Sequence, residues 1–250
     1  MKALITGASS GIGADIAKEL SNLGYDIILV ARRKTRLAKV KSELNTKVEI
    51  ISTDISSTFN CMELYNKVKD QEIEIVVNCA GFGVYGDFTT TSLDKELDMI
   101  DTNIKGLHIL TKLFLQDFTK RNRGYILNVA SSAAFQPGPL MAGYYASKAY
   151  VLNLSESIYG ELREIKSNVG ISILCPGPVD TEFNKVAKVN FAIKSMTSEK
   201  VAKYAVKNMF KKKLVIVPGI MMKLNYRFNK FLPIKLLLKI SYNIQSKKEL

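Results

Sequence analysis

Short apolar runs alternate along this chain with stretches in which apolar residues recur every three to four positions. The runs fall near residues 2–6, 26–31, 47–52, 73–78, 124–130, 169–175 and 213–217, and each is short enough for a buried strand. Between them the spacing turns helical, as in Ile12, Ile16, Leu20 and Leu23. Residues 92–121 predict two consecutive helices, and 143–166 one long helix. Strand and helix in regular alternation predict parallel strands joined by helical crossovers. The expected fold is α/β: a doubly wound, Rossmann-type domain over 1–219, its seven-stranded parallel sheet covered by helices on both faces. A helical extension then occupies 220–250. In such a sheet, ligands lie beyond the carboxyl ends of the strands, so a motif gains weight when it follows a strand.

Composition changes this picture little. The chain has 250 residues, 47% hydrophobic and 24% charged, which is enough to build a core without disulfides or a structural metal. Cys61, Cys79 and Cys175 form no CxxC pair and stand apart from His108, the only histidine, so they read as reduced thiols with no zinc site. No apolar segment has the length of a membrane span, and Met1-Lys2 runs straight into the first strand without a secretory pattern. The expectation is a cytoplasmic protein.

Charge changes it more. The net charge is +13, yet residues 201–250 hold twelve Lys or Arg against one acid, Glu249, so nearly all the excess lies near the carboxyl end. There, Phe228, Phe231, Leu232, Ile234, Leu236, Leu237 and Leu238 are set among lysines and arginines, and Pro233 divides the segment into two short helices. Three readings fit this pattern. The helices pack on the domain or on a second subunit, they lie through 220–245 on an anionic membrane at its periphery, or they meet an acidic protein such as an acyl carrier protein. Nucleic acid is not expected, because Tyr226, Phe228 and Phe231 suit an apolar helix face better than a stacking groove.

Candidate chemistry starts at the end of the first strand. Thr6-Gly7-Ala8-Ser9-Ser10-Gly11-Ile12-Gly13 leads into a helix, and Gly7, Ser9, Ser10, Gly11, Ile12 and Gly13 form a turn suited to pyrophosphate at a helix N-terminus. The second strand ends in Arg32 and Arg33, where an NAD enzyme usually carries an acid for the ribose. A guanidinium there suits a 2′-phosphate and predicts NADPH/NADP+, with Arg32 the stronger candidate; the plainer alternative is a solvated basic helix with Lys34, Arg36 and Lys39. Asp54 follows the third strand and is placed to accept from an adenine amino group, or to cap a helix. Asn78, Ala80 and Gly81 follow the fourth, where small residues let backbone lie along a cofactor.

Tyr144 and Lys148 are four apart and share a helix face. A phenol titrates near pH 10; a neighbouring ammonium favours its phenolate and makes it a usable acid and base. Ser131, thirteen residues upstream, ends the fifth strand and is placed to hold a substrate oxygen; alternation puts Ser132 on the other side. Asn103 falls between the two helices of 92–121, where its side chain is expected to hold a water linking Lys148 to solvent. His108 has no acidic or cysteine neighbour, and Tyr145, Tyr150 and Tyr159 read as packing or interface residues.

Over about residues 1–182, these motifs together resemble the short-chain dehydrogenase/reductase family. TGASSGIG looks like its cofactor turn, and Asn78-Cys79-Ala80-Gly81 resembles its NNAG motif with Cys79 in place of the second asparagine. Asn103, Ser131, Tyr144 and Lys148 look like its complete catalytic tetrad. Pro176-Gly177-Pro178-Val179-Asp180-Thr181 resembles the segment whose Val and Thr hold the nicotinamide carboxamide, so Pro176, Gly177, Val179 and Thr181 join the expected cofactor residues. The resemblance implies Tyr144 as acid/base, Lys148 on the nicotinamide ribose, Ser131 orienting the substrate and Asn103 supporting proton relay. It also implies a small-molecule carbonyl or alcohol substrate and a homodimer or homotetramer. Residues 183–197 correspond to the family's substrate lid, and Phe183, Val186, Val189, Phe191, Ile193 and Met196 there hint at an apolar or acyl substrate. The competing expectation is a catalytically silent NADPH-binding regulator, whose mark would be a broken tetrad.

Overall fold

The computed structural model describes residues 1–183, 187 and 195–248. Its main sheet has seven parallel strands in the order β3-β2-β1-β4-β5-β6-β9. The strands are β1 (Lys2–Thr6), β2 (Asp26–Ala31), β3 (Val48–Ser52), β4 (Ile73–Asn78), β5 (Tyr125–Val129), β6 (Gly170–Leu174) and, at the edge, β9 (Val215–Ile216). A separate pair, β7 (Val179–Asp180) and β8 (Met196–Thr197), brackets the expected lid. The doubly wound sheet expected from the pattern is the fold observed.

The inner strands of the main sheet are covered by helices on both faces, which is why they are mostly apolar, whereas β3 at the edge carries Glu49 and an exposed Ser52. Along β1, Ala3 and Ile5 enter one core with Ile16 and Leu20 of α1 (Gly11–Asn22) and Val201, Ala205 and Met209 of α7 (Ser198–Phe210). Leu4, between them, enters the opposite core with Leu64 of α3 (Thr58–Val68), Phe114 of α5 (Leu107–Lys120) and Ile158 of α6 (Ala142–Glu164). The two-residue period of the strand thus divides one chain segment between two cores.

The 92–121 region differs from expectation. α4 (Leu93–Ile100) and α5 are not separate helices but are joined without a break by a π-helical turn, Asp101–Gly106. A Cβ at Gly106 would lie 2.2 Å from the Ile55 carbonyl oxygen, so this turn passes against the β3–α3 loop at backbone contact.

The extension forms two helices, α8 (Ile220–Phe228) and α9 (Ile234–Gln245), with Pro233 at the start of the second, as the pattern predicts. Both dock on the domain. The Tyr226 ring of α8 packs tilted on Phe135 with centres 4.6 Å apart, Asn229 in the connecting turn donates to Gln136, and Ser241 of α9 donates to the Pro137 carbonyl at 3.3 Å. Among the described residues, no helix is long and apolar enough to cross a membrane.

Candidate active site

A cleft of about 960 Å³ opens at the carboxyl ends of the strands and runs from the glycine turn to Tyr85 and Phe183. Gly7 has φ +67°, and a Cβ there would lie 2.7 Å from Ala80; a Cβ on Gly13 would lie 2.5 Å from the Gly7 carbonyl oxygen. The turn is therefore as tight as backbone permits, and it presents the start of α1 to the cleft. Thr6 fastens the opposite wall: its Oγ1 accepts from the amides of Cys79 at 3.1 Å and Ala80 at 3.2 Å. Gly7, Ser9, Ser10, Gly11, Ile12, Gly13, Ala80, Gly81, Pro176, Gly177, Val179 and Thr181 all line the cleft, so the two walls expected to grip a dinucleotide do face each other.

Asn78 does not line it. Its amide donates to Thr111 Oγ1 at 3.1 Å and Asn128 Oδ1 at 2.9 Å, and Asn128 donates to Ser155 at 2.9 Å. This buried chain ties β4 and β5 to α5 and α6, so Asn78 fixes the strand ends from behind rather than meeting a ligand.

At the ribose end the two arginines part. Arg32 is mostly exposed and pairs with Asp54 at 3.4 Å. The Asp54 carboxyl sits below the usual range; burial works against this, while hydrogen bonds from Ser56 and the Arg32 charge carry it. Arg33 instead turns inward, donating to Ser9 Oγ at 3.0 Å and Ser10 Oγ at 3.2 Å. It also pairs at 3.0 Å with Glu182, which bonds Arg36 as well. Bonding to Arg36 first, and to Arg33, pulls the Glu182 carboxyl down to about 2. The guanidinium that reaches the glycine turn is thus Arg33, where the sequence favoured Arg32. Glu182 was not foreseen, because nothing local marks a residue 146 positions from its partner.

At the other end, Tyr144 and Lys148 share the inward face of α6, both buried. The Tyr144 phenol hydrogen-bonds Ser131, whose Oγ also accepts from the Ala133 amide at 3.1 Å. Lys148 Nζ donates to the Val129 carbonyl at 3.0 Å and lies 5.8 Å from the Tyr144 ring centre. Ser132 donates its amide to Pro176 and begins a short 3-10 turn. Burial dominates the titration of the pair: it pushes the phenol above its ordinary value against the Ser131 bond, and the lysine down to about 8. What opposes desolvation of the phenol is the Ser131 bond and not, as expected, the neighbouring ammonium.

Asn103 is fully buried in the π-helical turn and its amide is committed. Oδ1 accepts from the Phe82 amide at 3.0 Å, and Nδ2 donates to the Phe82 carbonyl at 2.9 Å and Ser147 at 3.0 Å. Both Nδ2 hydrogens and one acceptor site of Oδ1 are taken, and through these bonds the side chain clamps the loop after Gly81 against α6. A Cβ on Gly81 would meet Asn103 Oδ1 at 2.8 Å and Lys148 Nζ at 3.3 Å, so all three converge.

Around Tyr144 the cleft wall is apolar: Phe82, Val84, Tyr85, Met141 and Phe183, with the Phe183 ring 5.3 Å from that of Tyr144. Tyr145, expected to be packing, lines the cleft and receives a hydrogen bond from Gln245 at the end of α9. Of the expected lid, Val186, Val189, Phe191 and Ile193 lie outside the described residues. His108 is remote from the cleft and bonds Tyr150 at 2.8 Å.

The short chain dehydrogenase family model matches residues 1–190. Relatives include an uncharacterized oxidoreductase of Staphylococcus epidermidis, 38% identical over 72% of this chain and 78% of that protein. A very-long-chain 3-oxoacyl-CoA reductase of Anas platyrhynchos is 32% identical over 76% of this chain and 63% of that protein. Among solved structures, a short-chain dehydrogenase from Sphingobium yanoikuyae in complex with NADPH superposes with a TM-score of 0.84 at 28% identity, covering 92% of both chains. A short chain dehydrogenase/reductase from Burkholderia phymatum in complex with NAD gives 0.83 at 25% identity, covering 94% of both.

Proposed function

This chain belongs to the short chain dehydrogenase family of oxidoreductases, and within it we propose an NADPH-dependent enzyme that interconverts a carbonyl and a secondary alcohol on an apolar or acyl-like substrate. The observation that carries the reading is the meeting of Tyr144, Ser131 and Lys148 at one end of a cleft whose other end is a backbone-tight glycine turn. A bound nicotinamide dinucleotide supplies the hydride in reduction and accepts it in oxidation.

In the reducing direction, Tyr144 gives its phenolic proton to the carbonyl oxygen as the carbon gains hydride, so the product is the neutral alcohol. Ser131 Oγ donates to the same oxygen and holds it beside the phenol. Lys148, anchored on the Val129 carbonyl, opposes the charge left on Tyr144 until solvent returns the proton. Asn103 acts as a positioning residue: it sets the loop carrying Gly81 and Phe82 against the helix carrying Tyr144 and Lys148.

Arg33 supports the NADPH preference, since a guanidinium held at 3.0–3.2 Å from the Ser9 and Ser10 hydroxyls suits a ribose 2′-phosphate. The complex of a relative with NADPH agrees, and the complex of another with NAD makes the preference a quantity to measure. The ring-lined wall around Tyr144 supports an apolar substrate, as does a relative named for reducing 3-oxoacyl chains.

The test is oxidation of NADPH and of NADH by the purified chain over carbonyls from small diketones to long-chain ketoacyl thioesters. The expected result is turnover that rises with chain length and favours NADPH by about tenfold or more, with Arg33→Ala removing most of that preference. Tight NADPH binding with no turnover on any compound would instead favour the silent regulator.

A further inference from the structure

A docked amphipathic helix ordinarily turns its polar side outward. In α9 the order is reversed. The buried stripe is Leu237, Ser241 and Gln245, two of the three polar. The adjacent stripe, Leu236, Ile240 and Ile244, faces solvent, as does Ile234. The inward polar groups are not strays. Gln136 donates to Ser241 at 3.4 Å, Ser241 donates to the Pro137 carbonyl at 3.3 Å, and the Tyr85 hydroxyl donates to the Gln245 carbonyl at 3.1 Å. The helix therefore cannot roll its aliphatic side inward without breaking these bonds.

α8 has the same character. None of its residues is buried. Ile220, Leu224 and Phe228 recur every fourth position and stand exposed, with Lys223 and Arg227 along the flank. Between the helices, Phe231 is the most exposed large apolar side chain described, at 82%, and Phe228 is at 60%. Apolar surface of this extent marks a contact.

Charge selects what makes it. From residue 200 to residue 248 the chain has no acid, while lysines and arginines recur throughout. A two-fold pairing of this face with itself would bring like charges together with nothing to offset them. An anionic lipid surface offers both complements, headgroup charge for the lysines and acyl interior for the Phe, Ile and Leu side chains. We propose that the outward faces of α8 and α9 dock on an anionic membrane surface. The docked face adjoins the substrate end of the cleft: Met222 of α8 packs on Gly177, and Gln245 of α9 bonds Tyr145, both of them cleft residues. The proposal stands on the helices alone and does not depend on the reaction assigned above.

The test sediments the full chain with phosphatidylcholine vesicles and with vesicles in which phosphatidylglycerol replaces part of the phosphatidylcholine. The expected result is retention on the anionic vesicles only, weakening as salt is raised. The double variant Phe228→Ser, Phe231→Ser should lose affinity by at least about tenfold while keeping its melting temperature and its turnover of a water-soluble carbonyl. Retention without turnover in either protein would uphold the membrane surface while overturning the proposed reaction. No retention of the wild type, or equal retention of the double variant, would overturn the surface. So would a wild-type dimer in gel filtration that the double variant converts to monomer, which would assign the face to a second copy of the chain.

Discussion

Asn103 and Gln245 are both buried amides beside the cleft, and they are held differently. Asn103 makes three hydrogen bonds, two of them to the Phe82 backbone, from a helical turn locked between α3 and α6. Gln245 donates to one phenol, and its Oε1 has no partner among the described residues. The first belongs to the region built on β1 through α6, where polar groups are sunk into the core and tied across elements, Asn103 to backbone and Asn78 to Thr111 and Asn128, although Asn78 Oδ1 also lacks a partner among the described residues. The second belongs to α8 and α9, which lie on the finished domain through a few side chains and turn their apolar residues outward. A change in the first region should alter chemistry or folding; a change in the second should alter what enters the cleft and where the protein sits.

The largest expected effect lies in the first region. Tyr144→Phe removes one oxygen and preserves the ring against Phe183. Turnover should fall by about a thousandfold, the span of general acid–base catalysis, with NADPH affinity changed by less than about threefold. Single-turnover kinetics beside cofactor titration separates the two. A variant keeping more than about a tenth of the activity would remove Tyr144 from the proton path.

Lys148 gives the next effect, and its sign is that of a buried charge without a carboxylate partner among the described residues. Burial lowers its pKa to about 8, against an ordinary value of 10.5. Below about pH 8 both folded and unfolded chains carry the proton, and the folded state bears the cost of a buried charge. Between about 8 and 10.5 the unfolded chain holds the proton and the folded chain has released it, so stability from this group rises with pH. The contribution is on the order of a few kcal/mol. Urea midpoints measured from pH 7 to 10.5 should therefore climb relative to those of Lys148→Met, which has no such charge to bury. Parallel curves for the two proteins would show that Lys148 is not desolvated as its surroundings imply.

These two regions also differ in how far the sequence discloses them. In the first, short apolar runs place the strands, and the spacing from Ser131 to Tyr144 and Lys148 marks the candidate chemistry, because strand end and helix face are local properties. Local spacing could not show that Asn78 points behind the sheet, or that Arg33 and not Arg32 turns toward the glycine turn. Both depend on what lies across the fold: Thr111 and Asn128 for one, Ser9, Ser10 and Glu182 for the other. In the extension the difficulty is sharper. The stripes 236/240/244 and 237/241/245 have the same period, so periodicity predicts a helix at Ile234–Gln245 but not which stripe faces in. The deciding partners, Tyr85, Gln136 and Tyr145, are about a hundred or more residues away.

Gln245→Ala probes that long-range contact, and its effect should be the smallest. The substitution strips a donor from the Tyr145 hydroxyl, which burial already pushes up to about 12 against the Gln245 bond. It also deletes a buried carbonyl oxygen that had no partner. Loss of a hydrogen bond and relief of an unsatisfied acceptor oppose each other, so the net change in stability should stay near about 1 kcal/mol. The Tyr85 bond to the Gln245 backbone survives, so α9 should remain docked. Function should register the change selectively. Tyr145 lines the cleft beside Tyr144 and away from the glycine turn, so KM for a bulky carbonyl should shift by a few-fold, about 2- to 5-fold, while NADPH affinity and the KM of a small diketone hold. Equal shifts for large and small substrates would mean that the extension does not shape the substrate end. A loss of NADPH affinity would mean that its influence reaches the far wall, and the division between the two regions would fail.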